Sequence, residues 1–236
     1  MQSAIKNLHP STIEVLTEKI GKITDYQEAN KILYALCGID IFFRNQEDIL
    51  TLLGHLNPCF MVCERSDRRE YGDFQTPSEL SDSICLYLKD NNILPDVIIE
   101  PTFGKGSFVI SALKYFNKLK EIYGVEIHEP YYWQTKFSIL EYFINNQKLN
   151  KPKIFLYLDN VFKFNLENIE KSIGTHNVLV LGNPPWVTNS ELGSLKAQNL
   201  PDKSNFKALN GLDAITGKGN FDICEYIILM MIKLFS

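Results

Sequence analysis

One stretch decides the fold of this chain, Val178-Leu179-Val180-Leu181-Gly182-Asn183-Pro184-Pro185-Trp186. Proline lacks a backbone N–H and has a fixed φ, so a strand that begins at Val178 cannot extend its ladder through Pro184. The stretch therefore predicts a rigid corner at the carboxyl end of a strand, where open α/β sheets bind their ligands. The corner offers the side-chain amide of Asn183, a backbone carbonyl outside the ladder and the flat ring of Trp186. These groups suit a planar substrate with an exocyclic amino group. The alternative is an ordinary strand-ending turn with a buried Trp186.

Composition indicates a globular protein that is not strongly basic. Of the 236 residues, 45% are hydrophobic, which is ample for a core, and the net charge of -4 argues against an ordinary basic nucleic-acid binder. The five scattered cysteines follow no secretory segment and indicate a reducing, cytoplasmic compartment. Cys59 and Cys63 lack a second ligand pair, so we predict no metal site. The apolar segment 223–235 contains Glu225 and Lys233 and is too short to cross a membrane.

Hydrophobic periodicity divides the chain into two regions. Apolar residues with helical spacing predict a small helical N-terminal region, residues 1–64, whose first clear helix begins at Ser11. Residues 71–236 alternate strand and helix patterns, which predicts an α/β domain with a mainly parallel sheet. Strands are predicted at 97–100, 122–126, 154–158 and 178–181. Helices are predicted at 78–89, 107–118, 131–146, 166–173 and 221–234.

The four predicted strands end in polar residues. Right-handed crossovers bring Glu100, Glu126, Asp159 and Asn183 to one edge of the sheet, so we expect them to share one site. Each carboxylate alone is more simply explained as a helix cap or a solvated acid. Carboxylates at three of the four strand ends favour a common function.

The first strand end continues as Glu100-Pro101-Thr102-Phe103-Gly104-Lys105-Gly106. The glycines allow a close approach of the backbone to a ligand, and the helix that follows directs N–H groups toward that ligand. A dinucleotide fingerprint needs a third glycine where Val109 stands, which disfavours a pyrophosphate. The preceding carboxylate suits a ligand with an ammonium group.

The next two strand ends complete a nucleoside site. Glu126, with Ile127 beside it, follows Gly106 by 20 residues, where an acid holds a ribose diol. Asp159-Asn160-Val161-Phe162 offers an acceptor for an adenine amino group and apolar flanks for its ring. Adenosine joined to an amino acid, without phosphates, is S-adenosylmethionine, which we predict as the cofactor.

These motifs, in this order, resemble those of N6-adenine-specific DNA methyltransferases of restriction-modification systems, the NPPY or NPPW family. Tyr71-Gly72-Asp73-Phe74-Gln75-Thr76-Pro77 resembles the upstream motif X, and the Glu100 to Gly106 stretch resembles motif I. Asn183-Pro184-Pro185-Trp186 resembles the catalytic motif IV, and Asn220-Phe221-Asp222-Ile223-Cys224-Glu225-Tyr226 resembles the helix start that follows it. The resemblance covers about residue 71 to the end of the chain.

The resemblance implies a Rossmann-like S-adenosylmethionine-dependent methyltransferase fold and methyl transfer to N6 of a flipped adenine in DNA. It implies that the catalytic residues are Asn183, Pro184, Pro185 and Trp186. The cofactor-binding residues would be Phe74, Thr76, Pro77, Glu100, Pro101, Thr102, Gly104, Gly106, Glu126, Ile127, Asp159, Asn160 and Val161.

Enzymes of this family continue with further strands and a target-recognition domain, whereas this sequence stops at Ser236. We therefore expect a sheet that is incomplete at its C-terminal strands and no target-recognition domain. A second polypeptide or a missing C-terminal portion would supply target recognition. Two alternatives remain open, a methyltransferase acting on RNA or protein glutamine, and a non-catalytic S-adenosylmethionine-binding fragment. Motif X upstream of motif I disfavours the former.

Overall fold

The computed structural model describes residues 1–56, 75–147, 150–186 and 223–235. Four helices come first, α1 Gln2–Ile5, α2 Pro10–Ile20, α3 Tyr26–Cys37 and α4 Gln46–Leu56. The elements that follow are α5 Ser78–Asp90, β1 Val97–Glu100, α6 Ser107–Tyr115, β2 Glu121–Glu126, α7 Glu129–Asn145, β3 Lys153–Leu158, α8 Glu167–Ile173, β4 Val178–Val180 and α9 Ile223–Phe235.

The described strands form one parallel sheet in the order β3-β2-β1-β4. Val97 pairs with Glu121 on one side and with Val178 on the other, so β1 lies in the middle of the sheet. This is the strand order of a doubly wound, dinucleotide-type half-sheet. The predicted α/β, Rossmann-like fold is therefore confirmed. Within the described residues, β4 is the outermost strand on its side.

The sheet is buried on both faces, which explains why its strands have nearly continuous apolar sequences. Side chains alternate along β1, and Ile98 joins one hydrophobic cluster while Val97 and Ile99 join the other. The first cluster includes α5, α6, α7 and the N-terminal helices. The second is smaller and includes Ile169 of α8 and Ile227 of α9.

The N-terminal helices pack against α7 and share the larger cluster with the sheet. The segment after α3 also pairs with the outer edge of β3, because Asp40 N–H donates to the Ile154 carbonyl at 2.9 Å and Ile154 N–H donates to the Gly38 carbonyl at 2.8 Å. This backbone pairing was not foreseen from the sequence. The division between residues 1–64 and 71–236 stays a prediction.

A buried lysine fixes the loop between α3 and α4 on α7. Lys136 is fully buried, and its Nζ donates to the carbonyls of Ile41 and Phe42 at 2.8 Å each and to the Tyr132 hydroxyl. Burial lowers its pKa well below the usual 10.5. Phe42 beside it is also fully buried. The centroid of its ring lies 5.5 Å from that of Phe137 and 6.4 Å from that of Trp133.

Helix ends differ from the predicted ones by a few residues. Helix α2 begins at Pro10, not at Ser11, because proline suits the first helical position and the His9 side chain accepts the Ser11 N–H. Helix α6 ends at Tyr115, not at 118, because Phe116 turns inward and is buried. Helix α5 begins at Ser78 as predicted, with Pro77 as its N-cap.

None of the described helices has the length and apolar content that a membrane span requires. Over the same residues, no group of three His, Cys, Asp or Glu side chains is arranged to bind a metal.

We predict that Phe42→Ala lowers the free energy of unfolding by about 3–5 kcal/mol, because it leaves a cavity in the aromatic cluster. Ile41→Ala is the matched control, since the neighbouring side chain is 52% exposed and its loss should change stability by about 0.5 kcal/mol or less. Urea unfolding measures both. A separate early transition in Phe42→Ala would show that the N-terminal helices are not part of one cooperative core.

We also predict that Gly106→Ala destabilises the protein by about 2–4 kcal/mol. Gly106 precedes α6 with φ +76, and an added Cβ would lie 2.5 Å from Cγ2 of Thr135 on α7. Gly54 in α4 has no positive φ and no atom within 4 Å of an added Cβ, so Gly54→Ala is the control and should not destabilise the protein. Equal losses in the two variants would contradict the proposed steric clash. Thermal and urea unfolding give the comparison.

Candidate functional site

The four strand ends meet around one cleft at the carboxyl edge of the sheet. Glu100 is the last residue of β1, and Glu126 is the last residue of β2. Asp159 comes directly after β3, and Asn183 comes shortly after β4. The remaining predicted residues that line the cleft are Thr76, Pro101, Thr102, Gly104, Ile127, Val161 and Pro185. The parallel order of the strands thus brings together residues up to 107 positions apart in the sequence.

Glu100 lies at the bottom of the cleft and is only 2% exposed. Its Oε2 has no hydrogen-bond partner among the described residues. Burial raises its pKa well above the usual 4.5, and the nearby charge of Glu126 raises it further, while the backbone N–H of Val109 near the carboxyl lowers it. A buried carboxyl with one unused oxygen is a strong candidate to bind a cationic group.

Glu126 is buried too, but its carboxylate is already well held. Oε2 accepts the Gly104 N–H at 2.8 Å, and Oε1 accepts the His128 N–H at 2.7 Å. These bonds join the end of β2 to the glycine loop after β1 and to the start of α7. The two backbone donors thus fix the direction in which the carboxylate faces at the end of β2.

The glycine loop is bound to the segment before α5. Gln75 Oε1 accepts the Lys105 N–H at 2.9 Å, and the Ser107 hydroxyl donates to the Thr76 carbonyl at 2.7 Å. From the other side, the Thr135 hydroxyl donates to the Gly104 carbonyl at 3.0 Å. The loop is therefore held in place before any ligand binds, which lowers the cost of ordering it on binding.

The third strand end places an exposed acid beside an apolar wall. Asp159 N–H donates to the Glu126 carbonyl at 3.0 Å, and its Oδ1 accepts the Asn160 N–H at 2.7 Å. Val161 and Phe162 line the cleft next to it. Asn160 is buried, and its Oδ1 accepts the Phe162 N–H at 3.0 Å, so it braces the turn and does not line the cleft.

The corner after β4 lies between the cleft and a second, largely apolar hollow along β4 and α9. Asn183 borders both, Pro185 borders the cleft, and Pro184 and Trp186 border the second hollow. Asn183 Nδ2 donates to Thr76 Oγ1 at 3.3 Å, and its Oδ1 accepts the indole N–H of Trp186 at 2.8 Å. Trp186 is 61% exposed, so the alternative of a turn with a buried tryptophan is wrong.

Some predicted site residues lie elsewhere. Pro77 caps α5, and Gly106 lies behind the loop against Thr135, so neither lines the cleft. Phe74 falls outside the described residues, as does most of the motif X stretch and the beginning of the stretch at Asn220.

Other lining residues were not predicted from the sequence. They are Gln75, Phe103, Ser107, Phe108, Val125, His128, Tyr131, Ile223 and Ile227. Most follow a strand end directly or begin the next helix, and this position is the signal that could have identified them. Tyr131 is an example in the first turn of α7. The centroid of its ring lies 4.3 Å from the centroid of the His128 ring and 5.4 Å from Lys105 Nζ.

The cleft therefore combines an acidic floor, apolar and aromatic walls, and an amide at its rim. The acidic floor disfavours phosphates and favours a cation and hydroxyl groups. The walls suit a flat ring. This chemistry fits a nucleoside that carries a positively charged group.

Comparisons with known proteins agree with this description. A sequence model for the N-6 DNA Methylase family matches residues 59–235. Type II methyltransferase M.NspV from Nostoc sp. is 41% identical over 166 residues, which is 70% of this chain and 32% of that protein. The chain thus spans 32% of the length of this curated relative.

Solved structures give weaker likenesses. The type IIG restriction endonuclease BpuSI is similar with a TM-score of 0.48 and 16% identity, over 99% of this chain and 28% of that one. A Listeria monocytogenes protein assigned to the class I S-adenosylmethionine-dependent methyltransferases has a TM-score of 0.40 and 11% identity, over 89% of this chain and 63% of that one. The strand order itself, and not these likenesses, defines the fold. The family match covers most of the sequence, from before the sheet to α9, and the chain therefore belongs to the N-6 DNA Methylase family.

Proposed function

We propose that this chain supplies the cofactor pocket and the catalytic corner of an enzyme that transfers a methyl group from S-adenosylmethionine to N6 of adenine in DNA. One observation carries the proposal. A single cleft joins the buried carboxylates of Glu100 and Glu126 to the side-chain amide of Asn183. Membership of the N-6 DNA Methylase family supports the same reaction class.

The residues of the cleft fit the proposed cofactor. Glu100 Oε2 and Thr102 Oγ1 are buried without a hydrogen-bond partner among the described residues, so the floor can accept the ammonium group of an amino acid. Glu126 would accept the ribose hydroxyls and Asp159 the adenine amino group, with Val161 and Phe162 beside the ring. The remaining contacts of the amino-acid part would come from Thr76, with Phe74 and Pro77 proposed from the resemblance alone.

The corner would prepare the acceptor for transfer. S-adenosylmethionine, when bound, supplies an electrophilic methyl group on a sulfonium centre. The N6 lone pair of adenine is delocalised into the ring and is a poor nucleophile. The Asn183 side-chain oxygen and the Pro184 carbonyl would accept the two amino protons, which favours a tetrahedral nitrogen with a localised lone pair. Pro185 would keep the corner rigid, and no side-chain base is needed if the proton leaves after the transfer.

An adenine in a duplex must leave the base stack to reach this corner. Stacking of the base on Trp186 would contribute about 1–3 kcal/mol, against a few kcal/mol for unstacking. One ring therefore offsets much of this cost but does not drive the extrusion. We infer that target recognition comes from a second polypeptide or from a further C-terminal portion of the enzyme, because the chain spans 32% of the length of M.NspV.

We also propose that the chain consists of a helical region, residues 1–64, and a catalytic domain, residues 71–236. A DNA substrate and scattered cysteines, of which Cys37 and Cys85 are free and buried, support a cytoplasmic location.

The cofactor assignment predicts that Glu126→Ala weakens S-adenosylmethionine binding about 100-fold or more, because the ribose loses its acceptor and the Gly104 loop loses its anchor. Asn183→Ala should bind the cofactor within about threefold of the parent. Titration calorimetry measures both affinities, with circular dichroism to verify folding. Absence of binding by the parent chain would overturn the cofactor assignment.

The reaction assignment predicts transfer of label from S-adenosylmethionine to N6 of adenine in DNA, and at least about 100-fold less with Asn183→Ala because an acceptor for the amino protons is lost. RNA and a glutamine-containing protein serve as competing acceptors. Preferential labelling of either one would exclude DNA as the substrate. Cofactor binding without transfer to any acceptor would identify the isolated chain as the non-catalytic alternative.

The environment of Glu100 predicts opposite effects of Glu100→Gln on stability and binding. Because its pKa is raised in the folded protein, the protonated carboxyl stabilises the fold fully below pH 4.5, and this contribution is lost as pH rises through the raised pKa. At neutral pH the variant should therefore gain about 1–3 kcal/mol of stability without cofactor and should bind S-adenosylmethionine more weakly.

Urea unfolding from about pH 5 to about pH 8 measures the difference, which should grow with pH. Glu18→Gln, at an exposed position of α2, is the matched control and should show no such trend. A Glu100→Gln variant that is less stable at neutral pH, or that binds the cofactor as well as the parent, would contradict the role of this residue.

A further inference from the structure

The indole N–H of Trp186 donates to Asn183 Oδ1 at 2.8 Å. An indole nitrogen only donates, so the oxygen of the carboxamide must face Trp186 and its nitrogen must face Thr76. Both contacts agree with this one orientation of the carboxamide. Oδ1 thus faces away from Thr76 and toward Trp186, on whose ring the proposed function stacks the substrate base.

The indole N–H of Trp186 thus donates to Asn183 Oδ1, the same oxygen that accepts the substrate amino group in the proposed function. The two donors, the indole N–H and the N6 amino group of adenine, both lie at the edge of a planar aromatic ring. In the present contact the edge of the indole faces Asn183, whereas stacking on a base uses the face of the ring. A carbonyl oxygen shared between two donors also attracts each of them less strongly. The resting contact and a productive acceptor complex therefore compete.

Little packing holds Trp186 in this position. Its side chain is 61% exposed, while Trp133, the other tryptophan of the chain, is fully buried among Phe42, Phe43 and Phe137. The Asn183 carboxamide keeps its bond to Thr76 if the indole moves away. The ring can consequently leave Oδ1 while the carboxamide stays bound to Thr76.

We propose that the indole N–H of Trp186 stands in for the substrate amino group at Asn183 Oδ1, and that adenine displaces it when the ring moves to stack on the base. This inference rests on the proposed function. It makes Trp186 a specificity-determining residue, because only a base that brings its own N–H donor replaces the bond that the indole gives up. Thymine presents a carbonyl at the corresponding position and cannot replace it.

The resting contact is tested by NMR of the full chain labelled with 15N, in which the two tryptophans give two indole N–H signals. In Asn183→Ala the Trp186 signal should move upfield and exchange faster with solvent. Asn183→Asp keeps an acceptor oxygen and should retain the signal near its original position. The Trp133 indole donates to Glu129 and serves as the internal control. A Trp186 signal that does not respond to Asn183→Ala overturns the inference.

Displacement is tested by adding single-stranded oligonucleotides in the presence of S-adenosylhomocysteine, which cannot donate a methyl group. An adenine-containing oligonucleotide should move the Trp186 signal away from its hydrogen-bonded position, and a thymine-only oligonucleotide should not. Binding of the adenine oligonucleotide without any change of this signal overturns the inference and leaves the proposed function intact.

Two variants separate the N–H group from the ring. Trp186→Phe keeps a stacking face without the donor, and should bind the adenine oligonucleotide about 2- to 10-fold more tightly than the parent. Trp186→Ala loses the ring and should bind about 10-fold more weakly or worse. Weaker binding by Trp186→Phe than by the parent would show that the N–H group assists the base, which contradicts displacement. If no oligonucleotide binds while the cofactor does, the assignment of a nucleic-acid acceptor fails, and the displacement inference fails with it.

Discussion

The position of β1 between β2 and β4 is the constraint on which the rest of the structure depends. Its backbone pairs with both neighbours, and all of its side chains are buried. Each crossover returns the chain in the direction of β1, so the three strands are parallel and their carboxyl ends meet at one edge. Glu100, Glu126 and Asn183 are neighbours for this reason. No contact among the loops would bring them together without the sheet.

The edge of the sheet accommodates two buried carboxylates that differ in how they are stabilised. Glu126 accepts two backbone N–H groups, which stabilise its charge. Glu100 has one backbone donor, and burial next to Glu126 raises its pKa. Its charged form is therefore costly without a counter-charge and becomes favourable beside a cation. A group that is unsatisfied in the free protein in this way is typical of binding sites, where stability is given up for affinity.

Helix α7 links the cleft to the rest of the protein. Near its first turns, Thr135 holds the Gly104 carbonyl and limits Gly106 to a residue without a side chain. One residue further on, Lys136 lies on another side of the helix and binds the loop at Ile41 and Phe42. The N-terminal helices thus support the same helix that positions the glycine loop. Their packing matters to the site although none of their residues lines it.

The sequence by itself determined the elements and the chemistry of their ends. Apolar runs that stop at Glu100, Glu126, Asp159 and Asn183 predict four strands, because strand periodicity and proline are local signals. Tertiary structure alone decided which side chains hold these ends in place. Gln75 binds Lys105 over 30 positions, Thr76 binds Asn183 over 107, and Asn160 turns inward while Asp159 stays exposed. The reason is physical. Local periodicity reports which face of an element is buried, whereas a hydrogen bond between distant residues depends on distances that exist only after the sheet has formed.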